Sequence, residues 1–289
     1  MITSVTQAYY DLYAIKENQR ILDAHFELLK ALESLSLKGV ETGSVSAVSV
    51  LKLQMRINNL DSNRQIKKEE FLAAQTRFNK LLNRDASVGV YPIENLELPE
   101  SDFDVQDANL NVHPELVKFD KLYESVEQLE LLNDKQRRPM LGFGLDYVYV
   151  DERPNMNFSD NGKDVIMPMV AVSIPIFTKK YDSKSKQHKW KQEQLKFEKQ
   201  DRLNSLQILF QDAISKRNSA RINYNTQVKN IEQANQLKDL LLKKYEVGTA
   251  KLTDVLEVDA VELDLEMEQI KAVQQYYIQS SIINYLVAN

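Results

Sequence analysis

The chain has 289 residues, which is long enough for one large domain or two small ones. Its formal net charge is −5. This mild acidity argues against a general nucleic-acid-binding protein, because such proteins normally carry a basic stripe. The chain also lacks cysteine, which excludes disulfides, and lacks any run of eighteen apolar residues that could form a transmembrane helix.

The first predicted element is a pair of long helices over residues 1–82. The stretches 1–38 and 44–88 contain neither glycine nor proline, whereas Gly39 and Gly43 lie together between them. Glycine and proline disfavour helix interiors, so each stretch predicts a helix and the two glycines predict the tip of a helical hairpin.

The next segment, residues 83–112, is predicted to be a connector. Its sequence, NRDASVGVYPIENLELPESDFDVQDANLNV, has many turn residues and no strong period, which indicates a loop-rich segment with short helices. His113 and Pro114 then open a further helix over 113–138, with the proline in the first turn where it is well tolerated.

A β-hairpin is predicted over residues 139–178. Large apolar side chains alternate along its first strand (Leu141, Phe143, Leu145, Tyr147 and Tyr149) and along one face of its second strand (Ile166, Val170, Val172 and Ile174). The opposite face carries the glycines, Asp146 and smaller residues. One apolar face and one small or polar face are typical of a membrane β-barrel, but a soluble hairpin packed on helices also fits two strands.

The last predicted element is a second long helical hairpin over residues 179–289. At 1.5 Å per residue, the helix between Lys180 and Tyr245 would be roughly 100 Å long. Positions spaced alternately by four and three residues form a mostly apolar seam, typical of coiled coils: Leu206, Phe210, Ala213, Arg217, Ala220, Tyr224, Gln227, Ile231, Ala234, Lys238 and Leu241. An antiparallel coiled-coil hairpin without a special function remains an alternative for this segment.

The two hairpin tips are related by an offset of 205 residues. In this register Gly43 aligns with Gly248, Ser44 with Thr249, and Leu51 with Leu256. We predict that each glycine ends a helix, that Ser44 and Thr249 cap the helix that follows, and that the chain contains an internal duplication. The same offset places the partners of the two strands before Met1. We therefore expect that the chain lacks roughly ninety or more residues of its first repeat.

Three stretches resemble the TolC-like outer-membrane efflux protein family. They are KYEVGTAKLTDVLEVDAVELDLE at the second tip, VAVSIPIF at the second strand and AYYDLYAIKENQRIL in the first helix, and the likeness covers nearly the whole chain. The resemblance implies a mainly α fold of long antiparallel coiled-coil helices with a β-hairpin. It further implies a trimer in which each protomer gives four strands to one outer-membrane barrel, continued by a helical tunnel through the periplasm.

The same resemblance implies a function and partners. It implies a passive outer-membrane duct of a tripartite efflux or type I secretion system in a Gram-negative cell, exporting small molecules or peptides. The helical tips would dock on a periplasmic adaptor protein and an inner-membrane pump. The matching tip positions in this sequence are Gly43, Ser44, Val247, Gly248 and Thr249.

The resemblance also assigns residues to a narrow periplasmic entrance. Asp254 and Glu257 match acidic positions that ring this entrance, and Tyr245 matches a residue that holds it closed. The usual acidic and basic partners of that tyrosine correspond to Ser49 and Ala250, so the closing contacts here should differ. The alternative is that Asp254 and Glu257 are solvated acids in the first turn of a helix, stabilised by its dipole.

A coiled-coil scaffold, soluble or periplasmic and adaptor-like, is the alternative to a duct. An adaptor should carry lipoyl-like and β-barrel segments around its hairpin, whereas the helices here reach nearly to both termini. A trimer with two strands per chain would supply too few strands for the family's barrel, so the truncated chain alone could be soluble.

We predict neither an enzyme nor a bound cofactor, because no nucleophile–base set or phosphate loop is present. The histidines, His25, His113 and His188, are far apart in sequence, and we predict surface or helix-packing roles and no metal site for them.

Overall fold

The computed structural model describes residues 2–102, 110–155 and 157–287. In these ranges the chain forms helices and one β-hairpin in the following order: α1 (Ile2–Glu41), α2 (Ala47–Leu81), a 3-10 turn (Leu110–Val112), α3 (Pro114–Gln136), β1 (Met140–Val148), β2 (Val165–Ser173), α4 (Lys179–Glu246) and α5 (Leu252–Val287). The predicted mainly α fold is confirmed. Residues 103–109 of the predicted connector, and residues 288–289 of the second hairpin, lie outside the described residues.

The long helices follow the distribution of glycine and proline, with two exceptions. Helix α1 continues through Gly39 to Glu41, so of the two glycines predicted at the first tip only Gly43 lies in the turn. Helix α2 ends at Leu81 although no glycine or proline occurs before residue 89. Asn83 adopts a left-handed φ of 54°, and the Asn79 side chain donates hydrogen bonds to the carbonyls of Ala86 and Val88. An asparagine that tolerates this conformation therefore ends the helix where a glycine would otherwise be needed. Among the described residues, no helix combines the length and the apolar character needed to cross a membrane.

One compact unit comprises residues 1–110 and 206–289. In it, α1 runs antiparallel to α2, since Glu33 contacts Gln54 and Asp23 pairs with Arg64. Helix α1 also packs on α5, and buried side chains of α1, α2 and α5 form the main core, which includes Tyr13, Leu22, Leu29, Leu53, Leu60, Val255, Leu263 and Val273. All eleven predicted seam positions of α4 are buried or half-buried, which confirms the heptad pattern.

The second unit comprises residues 111–205. Helix α3 runs antiparallel to the first part of α4, because contacts advance along one helix as they retreat along the other. Glu115 contacts Arg202, Asp120 contacts Lys199, and Glu130 contacts His188. The Asn133 side chain donates to Tyr181 O and to Ser185 Oγ near the start of α4.

Strands β1 and β2 in this second unit form an antiparallel hairpin in which Phe143 pairs with Val170 and Asp146 pairs with Met167. The predicted alternation is confirmed, because the cross-strand partners of the large apolar residues in β1 are Val172, Val170, Pro168 and Ile166. We call this surface the apolar face of the hairpin. It is strongly exposed, with 80% of Phe143 and 69% of Val170 accessible to solvent within the chain. The other face carries the two glycines, Ala171, Ser173 and Asp146, together with five larger apolar residues: Met140, Val148, Val165, Met167 and Met169.

Candidate functional site: the helical tips and a buried ionic cluster

The first tip is the turn between α1 and α2. Gly43 has a φ of 72°, in the left-handed region that glycine adopts without steric cost. Its N–H donates to Val40 O at 3.0 Å, and the Ser44 N–H donates to Gly39 O at 2.8 Å. These two bonds are the Schellman motif, which satisfies carbonyls left open at the end of a helix.

The second tip, between α4 and α5, repeats this geometry 205 residues later. Gly248 has a φ of 76°. Its N–H donates to Tyr245 O at 3.0 Å, and the Thr249 N–H donates to Lys244 O at 2.8 Å. Residues that the offset of 205 aligns therefore make the same backbone hydrogen bonds, which supports an internal duplication.

The predicted role of Ser44 and Thr249 was wrong. The Ser44 hydroxyl donates to Gly39 O and the Thr249 hydroxyl donates to Lys244 O, each at 3.0 Å, so both side chains cap the helix that precedes them. In a Schellman motif the N–H of this residue already points at that carbonyl, which brings its hydroxyl near the same acceptor. The following helices are capped otherwise: Ser46 accepts from the Val48 N–H, and Asp254 accepts from the Lys251 N–H.

The five tip positions assigned by the family resemblance are exposed. Tyr245, in contrast, is half-buried and packs against the main core, and its hydroxyl lies 2.8 Å from the hydroxyl of the buried Ser36 in α1. This contact joins the C-terminal ends of α1 and α4, the first helices of the two hairpins. The assignment of Tyr245 to a closed entrance, with contacts other than those at Ser49 and Ala250, stays a prediction.

Asp254 and Glu257 lie one turn apart at the start of α5. Asp254 is half-buried and uses one carboxylate oxygen to accept from the Lys251 N–H at 3.3 Å, as an acid in the first helical turn commonly does. Glu257 is exposed and borders a shallow groove between α4 and α5 beside Leu237 and Val261. Their assignment to an entrance stays a prediction.

A buried ionic cluster lies between α1 and α5, where sequence reasoning predicted no site. His25 is 5% exposed, Glu262 2% and Asp259 0%; we call these three residues the His25 cluster. His25 Nδ1 lies 2.6 Å from Asp259 Oδ1. Two further side chains border the cluster: Glu266, whose Oε2 lies 2.9 Å from His25 Nε2, and Lys238, whose Nζ lies 2.5 Å from Glu262 Oε1.

The environment of His25 favours its charged form. Burial alone would lower its pKa, but hydrogen bonds to Asp259 and Glu266, together with their negative charges, outweigh burial and raise the pKa to about 9. The missed signal is the spacing of acids on α5: Asp259, Glu262 and Glu266 recur at intervals of three and four, among the apolar positions of a buried face.

The connector is fixed to the helices by tyrosine hydroxyls. The Tyr9 hydroxyl accepts from the Ile93 N–H at 3.0 Å, and the Tyr277 hydroxyl donates to Glu97 O at 2.5 Å. These bonds satisfy backbone groups of Ile93 and Glu97, which lie outside any helix or strand. This part of the segment predicted to be loop-rich is therefore held to α1 and α5 at defined points.

Asp102, at the end of the described part of the connector, makes the strongest of these attachments. Its carboxylate accepts from Arg221 at 2.7 and 3.2 Å and from the Tyr276 hydroxyl at 2.5 Å. Partial burial alone would raise the pKa of Asp102, but Arg221, Tyr276 and the nearby Arg217 lower it below 3.8. Asp102 is therefore an anion that ties the connector to α4 and α5.

No protein-family model and no curated protein sequence matches the chain. Solved structures do match it over 99% of its length. They include the outer membrane protein VceC from Vibrio cholerae (15% identity, TM-score 0.80, 69% of that chain covered). They also include the MtrE outer membrane channel of Neisseria gonorrhoeae in its open state (14%, 0.79, 65%) and the CmeC outer membrane channel of Campylobacter jejuni (14%, 0.74, 61%).

The chain spans between 61 and 69% of the length of these three channels. At 12–15% identity across the similar structures, the likeness concerns the fold and carries over no individual residue. The order of elements agrees with it: long paired helices, a two-stranded hairpin with an apolar face, and two tips that share one hydrogen-bond pattern. The chain therefore has the fold of the TolC-like outer-membrane efflux channels.

Proposed function

We propose that the chain is part of a passive outer-membrane duct of an efflux or type I secretion system, through which small molecules or peptides leave the cell. The observation that carries this proposal is the likeness to outer-membrane channels over 99% of the chain. A duct needs no catalytic residues, because an inner-membrane partner would supply the energy for export.

The β-hairpin supports a position in the membrane. Exposing its apolar face to water would be costly, because each large apolar side chain would forgo the favourable free energy of transfer from water to an apolar environment. In a membrane barrel the same face would contact lipid, while the opposite face, which carries Asp146, Ser173 and the two glycines among methionines and valines, would face the interior. A soluble coiled-coil scaffold would have no use for such a face, which is why we favour the duct.

The helical tips are the proposed docking surface for a periplasmic adaptor, with a homotrimer forming the duct and an inner-membrane pump beyond the adaptor. The tip residues Gly43, Ser44, Val247, Gly248 and Thr249 are exposed. In each turn the hydrogen-bonding groups that close the motif are used within the tip itself. Such rigid, projecting turns are suited to fit a groove on a partner without much loss of conformational entropy.

Asp254 and Glu257 are the proposed entrance acids. Three copies of this pair around an axis would concentrate negative charge in a narrow passage, which favours cations over anions. The use of one Asp254 oxygen to cap its own helix is compatible with this role, because accepting a hydrogen bond from a backbone N–H transfers no proton to the carboxylate.

The test begins with the native gene product. Outer-membrane fractions should contain it as an oligomer, and that oligomer should conduct ions in a planar bilayer with a preference for cations. A product found only in the soluble fraction, without conductance, would overturn the duct and favour the scaffold.

The entrance assignment has its own test. The double variant Asp254→Asn/Glu257→Gln should lower the ratio of cation to anion permeability by about twofold or more. The matched control is Asp264→Asn/Glu268→Gln, which removes two acids farther along α5 and should leave the ratio unchanged. Equal permeability ratios in the two double variants would remove Asp254 and Glu257 from the entrance while leaving the duct itself intact.

A further inference from the structure

The His25 cluster has the composition of a metal site. His25, Asp259 and Glu262 each offer one ligand atom, and these atoms lie within 4.8 Å of one another. One imidazole nitrogen and two carboxylates are the donor types found in zinc sites of proteins. The two acids come from one helix and the histidine from another, so a bound ion would link α1 to α5.

Two carboxylate oxygens in the cluster lack partners. Asp259 Oδ2 and Glu262 Oε2 are buried, and neither has a hydrogen-bond partner among the residues that the structure describes. A buried polar atom without a partner is costly, and an ionised carboxylate is especially so. Water could satisfy one such atom, but two unpartnered anionic oxygens beside an imidazole nitrogen are better satisfied by a cation.

The cluster and its two neighbours contain more acidic than basic side chains. Asp259, Glu262 and Glu266 supply three carboxyl groups, whereas His25 and Lys238 supply one imidazole and one amino group. A divalent cation would offset this excess of acidic groups.

The surroundings of the cluster also match those of metal sites. A histidine that binds a metal through one nitrogen commonly donates its other ring N–H to a carboxylate, which fixes the orientation of the ring. Glu266 already lies 2.9 Å from His25 Nε2, while Nδ1 faces Asp259. Lys238, in contrast, binds the other oxygen of Glu262 and so competes with a cation for that carboxylate. Glu266 is therefore the group in place to position the histidine ligand.

We propose that His25 Nδ1 and the carboxylates of Asp259 and Glu262 bind one divalent transition-metal ion, with zinc as the representative ion. Mixed nitrogen and oxygen donors suit zinc better than calcium or magnesium, which take oxygen ligands, and the lack of sulfur disfavours copper(I). Three protein ligands leave the fourth tetrahedral position to water. The role of the ion would be to clamp α1 against α5, and it does not depend on the proposed duct.

The experiment uses purified protein stripped with a chelator, dialysed and then given Zn²⁺. Mass spectrometry of the metal content after gel filtration should find one zinc per chain, and Tm should rise with zinc. Asp259→Asn and Glu262→Gln should each weaken zinc binding by tenfold or more. Asp264→Asn, which removes an exposed acid from the same helix, should bind zinc as the unmodified chain does.

Two further variants keep the proposal testable if Asp259→Asn does not fold. Lys238→Met removes the ammonium group that competes for Glu262, so it should bind zinc more tightly and show a larger zinc-dependent rise in Tm. Glu266→Gln removes a positioning group and should weaken binding by about 10- to 100-fold.

Either of two results would overturn the metal site and leave an ion-pair cluster alone. The first is a chain that retains no stoichiometric zinc. The second is zinc binding that Glu262→Gln, Lys238→Met and Glu266→Gln all leave unchanged.

Discussion

At the scale of single residues, Gly43 and Gly248 each allow a helix to end, and both do so through the same backbone conformation. Both adopt a left-handed φ, and apart from the neighbouring residues in the chain no atom of the described residues lies within 4 Å of the position that a Cβ would occupy at either glycine. Space is therefore no constraint, and the requirement for glycine comes from the backbone conformation alone. Only the residue type, and not the surrounding packing, decides whether each helix can end in this way.

Replacing Gly248 by alanine should lower the free energy of unfolding by roughly 1 to 2 kcal/mol, because the left-handed conformation brings Cβ too close to the carbonyl oxygen. Urea unfolding followed by circular dichroism measures this change. Gly248→Asn should cost less, since asparagine tolerates the left-handed region better than alanine does.

The control for this prediction is Gly142→Ala. Gly142 does not have a positive φ, and an added Cβ would make an ordinary contact with Ala171 at 3.7 Å. Its effect should stay within about 0.5 kcal/mol. Equal losses for Gly142→Ala and Gly248→Ala would contradict a conformational cause.

At the scale of elements, α5 packs against both α1 and α4. Its buried face meets α1 through the His25 cluster, and it also meets α4 through the ion pair of Lys238 with Glu262 and the bond of Arg221 to Tyr276. Because α5 is buried on more than one side, few of its positions are exposed to solvent. Some of its acidic residues therefore lie among the apolar residues of its buried faces. These acids are tolerated because each has a cationic or hydrogen-bonding partner.

The attachment of the connector to α4 and α5 is predicted to depend on Asp102. Asp102→Asn keeps the shape of the side chain but removes its charge, so the bonds to Arg221 and Tyr276 should weaken. We expect a loss of about 1 to 2 kcal/mol at pH 7, the range for hydrogen bonds to charged groups at a partly exposed site. Chemical unfolding at a series of pH values measures this loss.

The direction of the pKa shift of Asp102 determines how its contribution to stability changes with pH. The pKa of Asp102 is lowered in the folded state, so the stability it contributes is fully present above the ordinary value of 3.8 and is lost as the pH falls further. The difference between the unmodified chain and Asp102→Asn should therefore be constant above about pH 5 and shrink below pH 3.8. A difference that is independent of pH down to pH 2 would show that the charge of Asp102 is not the cause.

At the scale of the whole molecule, local patterns predicted the elements and missed the contacts between distant ones. The positions of glycine and proline predicted α1, α4 and α5, because their effect on a helix acts within a few residues. Strand alternation predicted the two faces of the hairpin for the same reason. The contact of His25 with Asp259 depends instead on how α1 is set against α5 across 234 residues of chain, and the sequence contains no local sign of that register.

At the two helical tips the sequence also failed to predict a contact, although the residues concerned are close together in the chain. The sequence predicted a glycine stop at residues 43 and 248, yet it assigned the hydroxyls of Ser44 and Thr249 to the wrong helix. Serine and threonine can cap either side of a turn, and the choice depends on backbone angles that the residue type does not set. The duplication was nevertheless visible, because both copies place glycine at the one position that needs it.

The proposed place of the hairpin in a membrane leads to a prediction with a control on the opposite face of the same strand. Val170 lies on the apolar face opposite Phe143, whereas Met167 lies on the other face opposite Asp146. Val170→Arg would place a charge against lipid, at a cost of about 2 to 4 kcal/mol near the middle of the membrane. Met167→Arg would place the same charge beside a carboxylate on the proposed water-filled side, where it should be tolerated.

We therefore expect Val170→Arg to reduce the amount of protein recovered in the outer membrane and Met167→Arg to leave it near normal, as measured by quantitative immunoblots of separated cell fractions. The comparison separates three possible environments of the apolar face: lipid, another protein and water. If the apolar face packed against another protein instead of lipid, Val170→Arg would lower association with that protein and leave the membrane fraction unchanged. If both faces were in water, the two variants would behave alike, because an exposed arginine costs little on either side of a two-stranded ribbon.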